Sequence, residues 1–137
     1  MIGALYAAQQ AAPAIVQPDT EQKRLSSRQI VDNALARAGR PNGVTVQDVD
    51  RTHWLIRKHG KNRAAIAARD PEGGEWILNN TQANVPMMDR EPLLQHEVAH
   101  LLAWRKYGEG IKEHGPEFAK ICQEVVQRRQ DEFCKRR

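Results

Sequence analysis

The sequence has no apolar stretch approaching the roughly 20 residues that a membrane helix needs, which argues against a membrane-embedded protein. It has no basic residue before Lys23, so the Ala-, Gln- and Pro-rich start MIGALYAAQQAAPAIVQPDT lacks the positive opening of a secretory signal. It holds two cysteines and no Cys-x-x-Cys pair, which leaves no ligand set for a zinc ribbon. Cys122 and Cys134 are 12 positions apart in what reads as one helix, where their separation would be roughly 18 Å; they are not expected to pair. A reduced, cytoplasmic setting follows as the default expectation.

What is present fits one globular domain. The chain has 137 residues, 40% hydrophobic and 28% charged, enough for a single core but not comfortably for two. Residues 1–22 read as a loosely ordered arm and 23–137 as the domain. Twenty-one Lys and Arg against 17 Asp and Glu give a net charge of +4, which favours polyanionic neighbours without requiring them.

Along the chain, Ser26 or Ser27 opens a helix with Ile30, Val31, Ala34, Leu35 and Ala38 at helical spacing, and Gly39 closes it. Arg40-Pro41-Asn42-Gly43 is turn chemistry, followed by Val44 and Val46 in alternation, with Val49 a further apolar position. In THWLIRKHG, Trp54 between basic neighbours is minimal equipment for stacking a nucleic-acid base, but a Trp beside Leu and Ile reads first as core. AAIAARD and EWILNN, joined by Pro71-Glu72-Gly73-Gly74, form a β-hairpin.

PLLQHEVAHLLAWRKYG then reads as one helix, capped near Asp89 and ended by Gly108. Within it, His96 and His100 are one turn apart on the same face, so two imidazoles can reach one metal ion. Glu97 lies about 100° around the helix from His96, beside such an ion rather than on it, where it can accept a proton from a metal-activated water. The rest of the helix is apolar almost all round, which predicts burial.

A catalytic zinc takes three protein ligands, so a third must come from downstream. Glu113, His114, Glu117 and Glu124 qualify by type. His114 stands at a corner where Gly115-Pro116 opens a final helix, PEFAKICQEVVQRRQDEFCKRR. That helix carries the stripe Phe118, Ile121, Cys122, Val125 and Val126, with Cys134 exposed and incidental. His53 and His59, among Arg51, Arg57, Lys58, Lys61 and Arg63, read as part of a solvated basic face; with Tyr107 they are the groups chemically able to stabilise an oxyanion, and spacing selects none of them.

HEVAHLLAWRKYGEG followed by HGPEF resembles the SprT-like (SprT/Spartan) zinc metallopeptidases, whose pattern is His-Glu-x-x-His and then His-Gly-x-x-aromatic. The resemblance spans Gln95 to Phe118, with the EWILNN hairpin in the place of the strands before the family's metal helix. It implies an α+β, zincin-like minimal metallopeptidase with a buried metal-binding helix, a small antiparallel sheet before it and a C-terminal helix after it. It also implies one Zn²⁺ on His96, His100 and His114, Glu97 as catalytic acid/base, and structural roles for Gly115 and Phe118. A protein substrate is the expected partner, DNA a further one, and a membrane none. The missing Cys-x-x-Cys departs from relatives that carry a zinc ribbon. The competing expectation is a non-catalytic adaptor or DNA-binding module with a structural zinc; a third is a peptidase for one dedicated partner protein.

Overall fold

The computed structural model describes residues 25–39 and 43–135. The expected arm at 1–22, most of the turn at 40–43 and the last two arginines lie outside the described residues. The element order is α1 (Ser27–Arg37), β1 (Val44–Val49), α2 (Trp54–His59), β2 (Ala65–Arg69), β3 (Glu75–Asn80), a 3₁₀ turn (Met87–Asp89), α3 (Arg90–Tyr107), α4 (Pro116–Val125) and α5 (Gln130–Phe133).

Helix α1 starts where serine chemistry dictates. Ser26 accepts the Gln29 N–H while the Gln29 side chain accepts the Ser26 N–H, a reciprocal capping box. Ile30, Val31, Ala34 and Leu35 are buried, but the helix ends at Arg37 and Ala38 is exposed.

The sheet corrects the antiparallel expectation. Its order is β1-β3-β2, with β3 antiparallel to β2 through the expected hairpin and parallel to β1. The β1 to β3 connection runs through α2 and β2, long enough for the crossover that parallel pairing needs. The hairpin turn is organised by Asp70, whose carboxylate accepts the N–H groups of Glu72 and Gly74 and the Trp76 indole N–H. Gly73 has φ +90°, and a side chain at Gly74 would collide with that carboxylate, so both glycines are required.

THWLIRKHG forms the short helix α2, capped by His53 Nδ1 accepting the Leu55 N–H at 3.2 Å. Only Ile56 of this helix is buried. Trp54 is 64% exposed, which overturns its reading as core.

Helix α3 is the centre of the molecule. It runs as expected from Pro92 in its first turn to Gly108, although the Asp89 side chain makes no cap bond. Leu94, Val98, Ala99 and Leu101 are fully buried against α1, α4 and the sheet. Each leucine contributes about 2 kcal/mol by area. Its end is tied to the sheet by Glu75, which accepts from Arg105 Nη2 at 2.5 Å and from Arg69 Nη2 at 3.3 Å.

The last helix is not continuous. Helix α4 ends at Val125; Val126 is extended and Arg129 is left-handed at φ 58°. The break is held by polar contacts absent from the local pattern: Gln130 Nε2 donates to the carbonyls of Gln123 and Val126, and Gln95 Oε1 accepts the Gln127 N–H. The chain then turns back across α3, bringing the Cα atoms of Cys122 and Cys134 to 5.5 Å in a disulfide. This corrects the expected unpaired cysteines and removes that argument for a reducing compartment; Cys134 is buried, not exposed. Among the described residues no helix is long and apolar enough to cross a membrane.

Candidate metal centre

Two of the three histidines come from one rigid support. His96 and His100 are successive on the cleft side of α3, their Nε2 atoms 3.2 Å apart. His114 arrives from the loop that turns α3 into α4, where Gly115 is the N-cap and Pro116 the first helical residue. A nitrogen from each of His96, His100 and His114 lies within 4.8 Å of the others, and these form the metal-capable group among the described residues. Glu117 and Glu124 are outside it. Three imidazole nitrogens at this spacing fit a divalent transition metal such as zinc.

The imidazoles rest on Phe118. This ring is fully buried and stacks on His100 at 4.2 Å and 22°, with its edge contacts to His96 at 5.0 Å and His114 at 5.2 Å. Trp104 covers the other flank of His100, centroids 5.9 Å apart. The aromatic residue of His-Gly-x-x-aromatic is thus the floor on which all three rings are set.

Electrostatics keep the site in a ligating form. Burial drives the His100 pKa down to about 3, helped by the charges that His96, His114 and Arg63 would place beside it. The ring is therefore neutral at physiological pH, as a metal ligand must be. Glu97 is buried next to the cluster, and burial lifts its pKa to about 8 against the opposing pull of Arg63 and the Ala67 N–H, with Glu113 adding to the rise. Such a carboxyl exchanges its proton near neutral pH, unlike an ordinary carboxylate.

All four residues line a cleft of about 600 Å³. Ala64 and the start of strand β2, an edge of the sheet, also line it. Glu113 and His59 lie on the cleft, whereas His53 and Tyr107 do not. Arg63, Trp104 and Phe133 also line it without having been marked by the sequence as site residues. Arg63 sits in the basic run before β2, a usable signal; Phe133 reaches the site only through the chain reversal after α4.

His96 has a further contact. Its Nδ1 is 2.6 Å from the Phe133 carbonyl oxygen, which fixes Nδ1 as the protonated nitrogen because a carbonyl can only accept. Nε2 is left with its lone pair, directed at His100.

The sequence model of the SprT-like family matches residues 77–136, from β3 through α5. No curated protein and no solved structure matches the chain.

Proposed function

We propose, from the match of residues 77–136 to the SprT-like family model, that this chain is a zinc-dependent peptidase of the SprT-like kind. In this reading His96, His100 and His114 hold one Zn²⁺ and Glu97 is the general base, in a minimal zincin-like arrangement. The observation that carries it is the convergence of three imidazole nitrogens with a buried carboxyl in one cleft.

Zinc bound there would polarise a peptide carbonyl and acidify a water molecule toward a pKa of about 7. Glu97 takes the proton of the attacking water on its carboxylate and delivers it to the leaving amine. The Ala67 N–H donates to that carboxylate at the edge strand β2, which also lines the cleft. A structural zinc clasp would have no use for such a carboxyl beside the ligands, which favours the enzyme over the adaptor.

The substrate class we propose is protein on or near DNA. Trp54 is exposed on a helix that carries Arg57 and Lys58, and the same segment continues through His59 and Arg63 to the mouth of the cleft. An exposed aromatic with cationic neighbours suits a single-stranded nucleic acid. Cytoplasmic location belongs to the same proposal, and it would expose the disulfide to reducing thiols.

The test is a zinc-dependent cleavage assay of the native chain and Glu97→Gln on candidate proteins, with and without single-stranded DNA. Glu97→Gln is expected to keep zinc and fold while losing cleavage; undiminished cleavage would eliminate the mechanism.

A further inference from the structure

We propose that the Cys122–Cys134 disulfide is a strap that holds the Phe133 carbonyl on His96, making Phe133 the positioning residue for one ligand of the metal centre and making metal affinity sensitive to reduction. The inference rests on His96 being a ligand, as read above.

The contacts run in one line. The Phe133 carbonyl oxygen is 2.6 Å from His96 Nδ1 and 3.5 Å from Cys122 Sγ. A disulfide sulfur has no proton to donate, so the second is a packing contact that seats the carbonyl between the disulfide and the imidazole. Cys134 follows Phe133 directly, so the disulfide anchors the very peptide that bears the carbonyl. The near end of the strap is pinned differently. Gln95 Oε1 accepts the Gln127 N–H at 3.1 Å, and Arg129 pairs with Asp89. Helix α5 between these ends is only four residues long, too short to hold its shape alone.

A dithiol would open the strap by thiol–disulfide exchange. The Cys122–Cys134 bond breaks to two thiols, taking two electrons and two protons, and the dithiol closes to its own disulfide. The Phe133 carbonyl then loses its anchor, and the contact that keeps the His96 proton on Nδ1 rather than on Nε2, the nitrogen that faces His100, is weakened. Loss of such an orienting contact typically weakens metal binding 10- to 100-fold.

Two measurements test this. Long-range ¹H–¹⁵N spectra of the oxidised, zinc-free native chain should show His96 protonated at Nδ1 and bare at Nε2; the opposite tautomer overturns the proposal without any variant. Zinc dissociation constants, read by competition with a chromophoric chelator, should rise at least tenfold in Cys122→Ser/Cys134→Ser relative to the oxidised native chain. Val31→Ala, a core truncation in α1 outside the cleft lining that leaves the disulfide intact, should leave the constant within twofold. Equal affinity with and without the disulfide refutes the strap while leaving the metal centre standing. Failure of the oxidised native chain to bind zinc at all refutes both.

Discussion

Replacing Phe118 by leucine separates packing from preorganisation at the metal centre. Leucine keeps the site apolar and removes the ring that stacks on His100 and meets His96 and His114 edge to face, with centroids 4.2, 5.0 and 5.2 Å apart. Aromatic contacts are worth about 0.5–1.5 kcal/mol each beyond burial. Three therefore amount to roughly 2–4 kcal/mol, of which leucine's own dispersion contacts restore about half. The remaining 1–2 kcal/mol is ordering that zinc must now supply, which corresponds to a loss of about 5- to 30-fold in affinity. The fold itself should lose about 1–2 kcal/mol for the smaller side chain, a fall in melting temperature of roughly 4–8 °C for a chain of this size. Ile30→Val, in α1 and away from the cleft, costs about 1 kcal/mol by the same packing argument. Chelator competition and thermal melts on both variants are the assay. Phe118→Leu should weaken zinc binding and Ile30→Val should not. Equal zinc affinity in the two variants would mean that the ring is ordinary core and that the imidazoles are set by the backbone alone.

Other consequences follow from single residues. His114→Ala removes the imidazole that the α3–α4 corner adds to the three-histidine cluster, so elemental analysis should fall from about one zinc per chain toward none. Excess zinc, worth about 2.7 kcal/mol at a hundred times the dissociation constant, should then no longer raise the melting temperature. Glu75 has two competing influences: burial raises its pKa, but the guanidinium groups of Arg105 and Arg69 prevail and hold it below the ordinary value of 4.5. Its stabilisation is therefore complete above about pH 4.5 and disappears as pH falls through the lowered folded value. Glu75→Gln should remove that part of the acid limb in pH-dependent melts. It should also cost about 2 kcal/mol at pH 7, less than a fully buried pair, because both arginines are 23% exposed. Trp54→Ala should weaken single-stranded DNA binding by roughly 1–3 kcal/mol with the fold unchanged; binding that is insensitive to both salt and this substitution would exclude the α2 face as the contact.

The elements that the sequence announced are those whose causes are local. Helix α3 was legible end to end because its apolar residues, early proline and terminal glycine all point the same way, and the motif within it needs only helical geometry to align two imidazoles. The corner at His114 was legible from Gly115-Pro116. The hairpin was legible from its turn and from alternation. Three features were not. Parallel pairing of β1 with β3 leaves the same side-chain alternation as antiparallel pairing, so Val44, Val46 and Val49 could not distinguish them. Trp54 was misread because α2 buries Ile56 alone, and a six-residue helix has too little periodicity to reveal its inner face. The break after Val125 interrupts a segment whose apolar spacing continues acceptably as helix.

That last feature bears most on function. Continuous helix would have left Cys134 far from Cys122 and the Phe133 peptide far from α3. What bends the chain is a set of polar contacts across long sequence distances, chiefly Gln127 to Gln95 and Gln130 to the end of α4. Gln95 immediately precedes His96, is buried, and would be a poor choice for a core position on hydrophobic grounds alone. Its amide is satisfied only because the strap returns. Buried Gln95 is therefore the sequence signal for the chain segment that crosses α3. The polar group that marks the crossing stands next to His96, whose Nδ1 meets the carbonyl of Phe133 on the crossing segment.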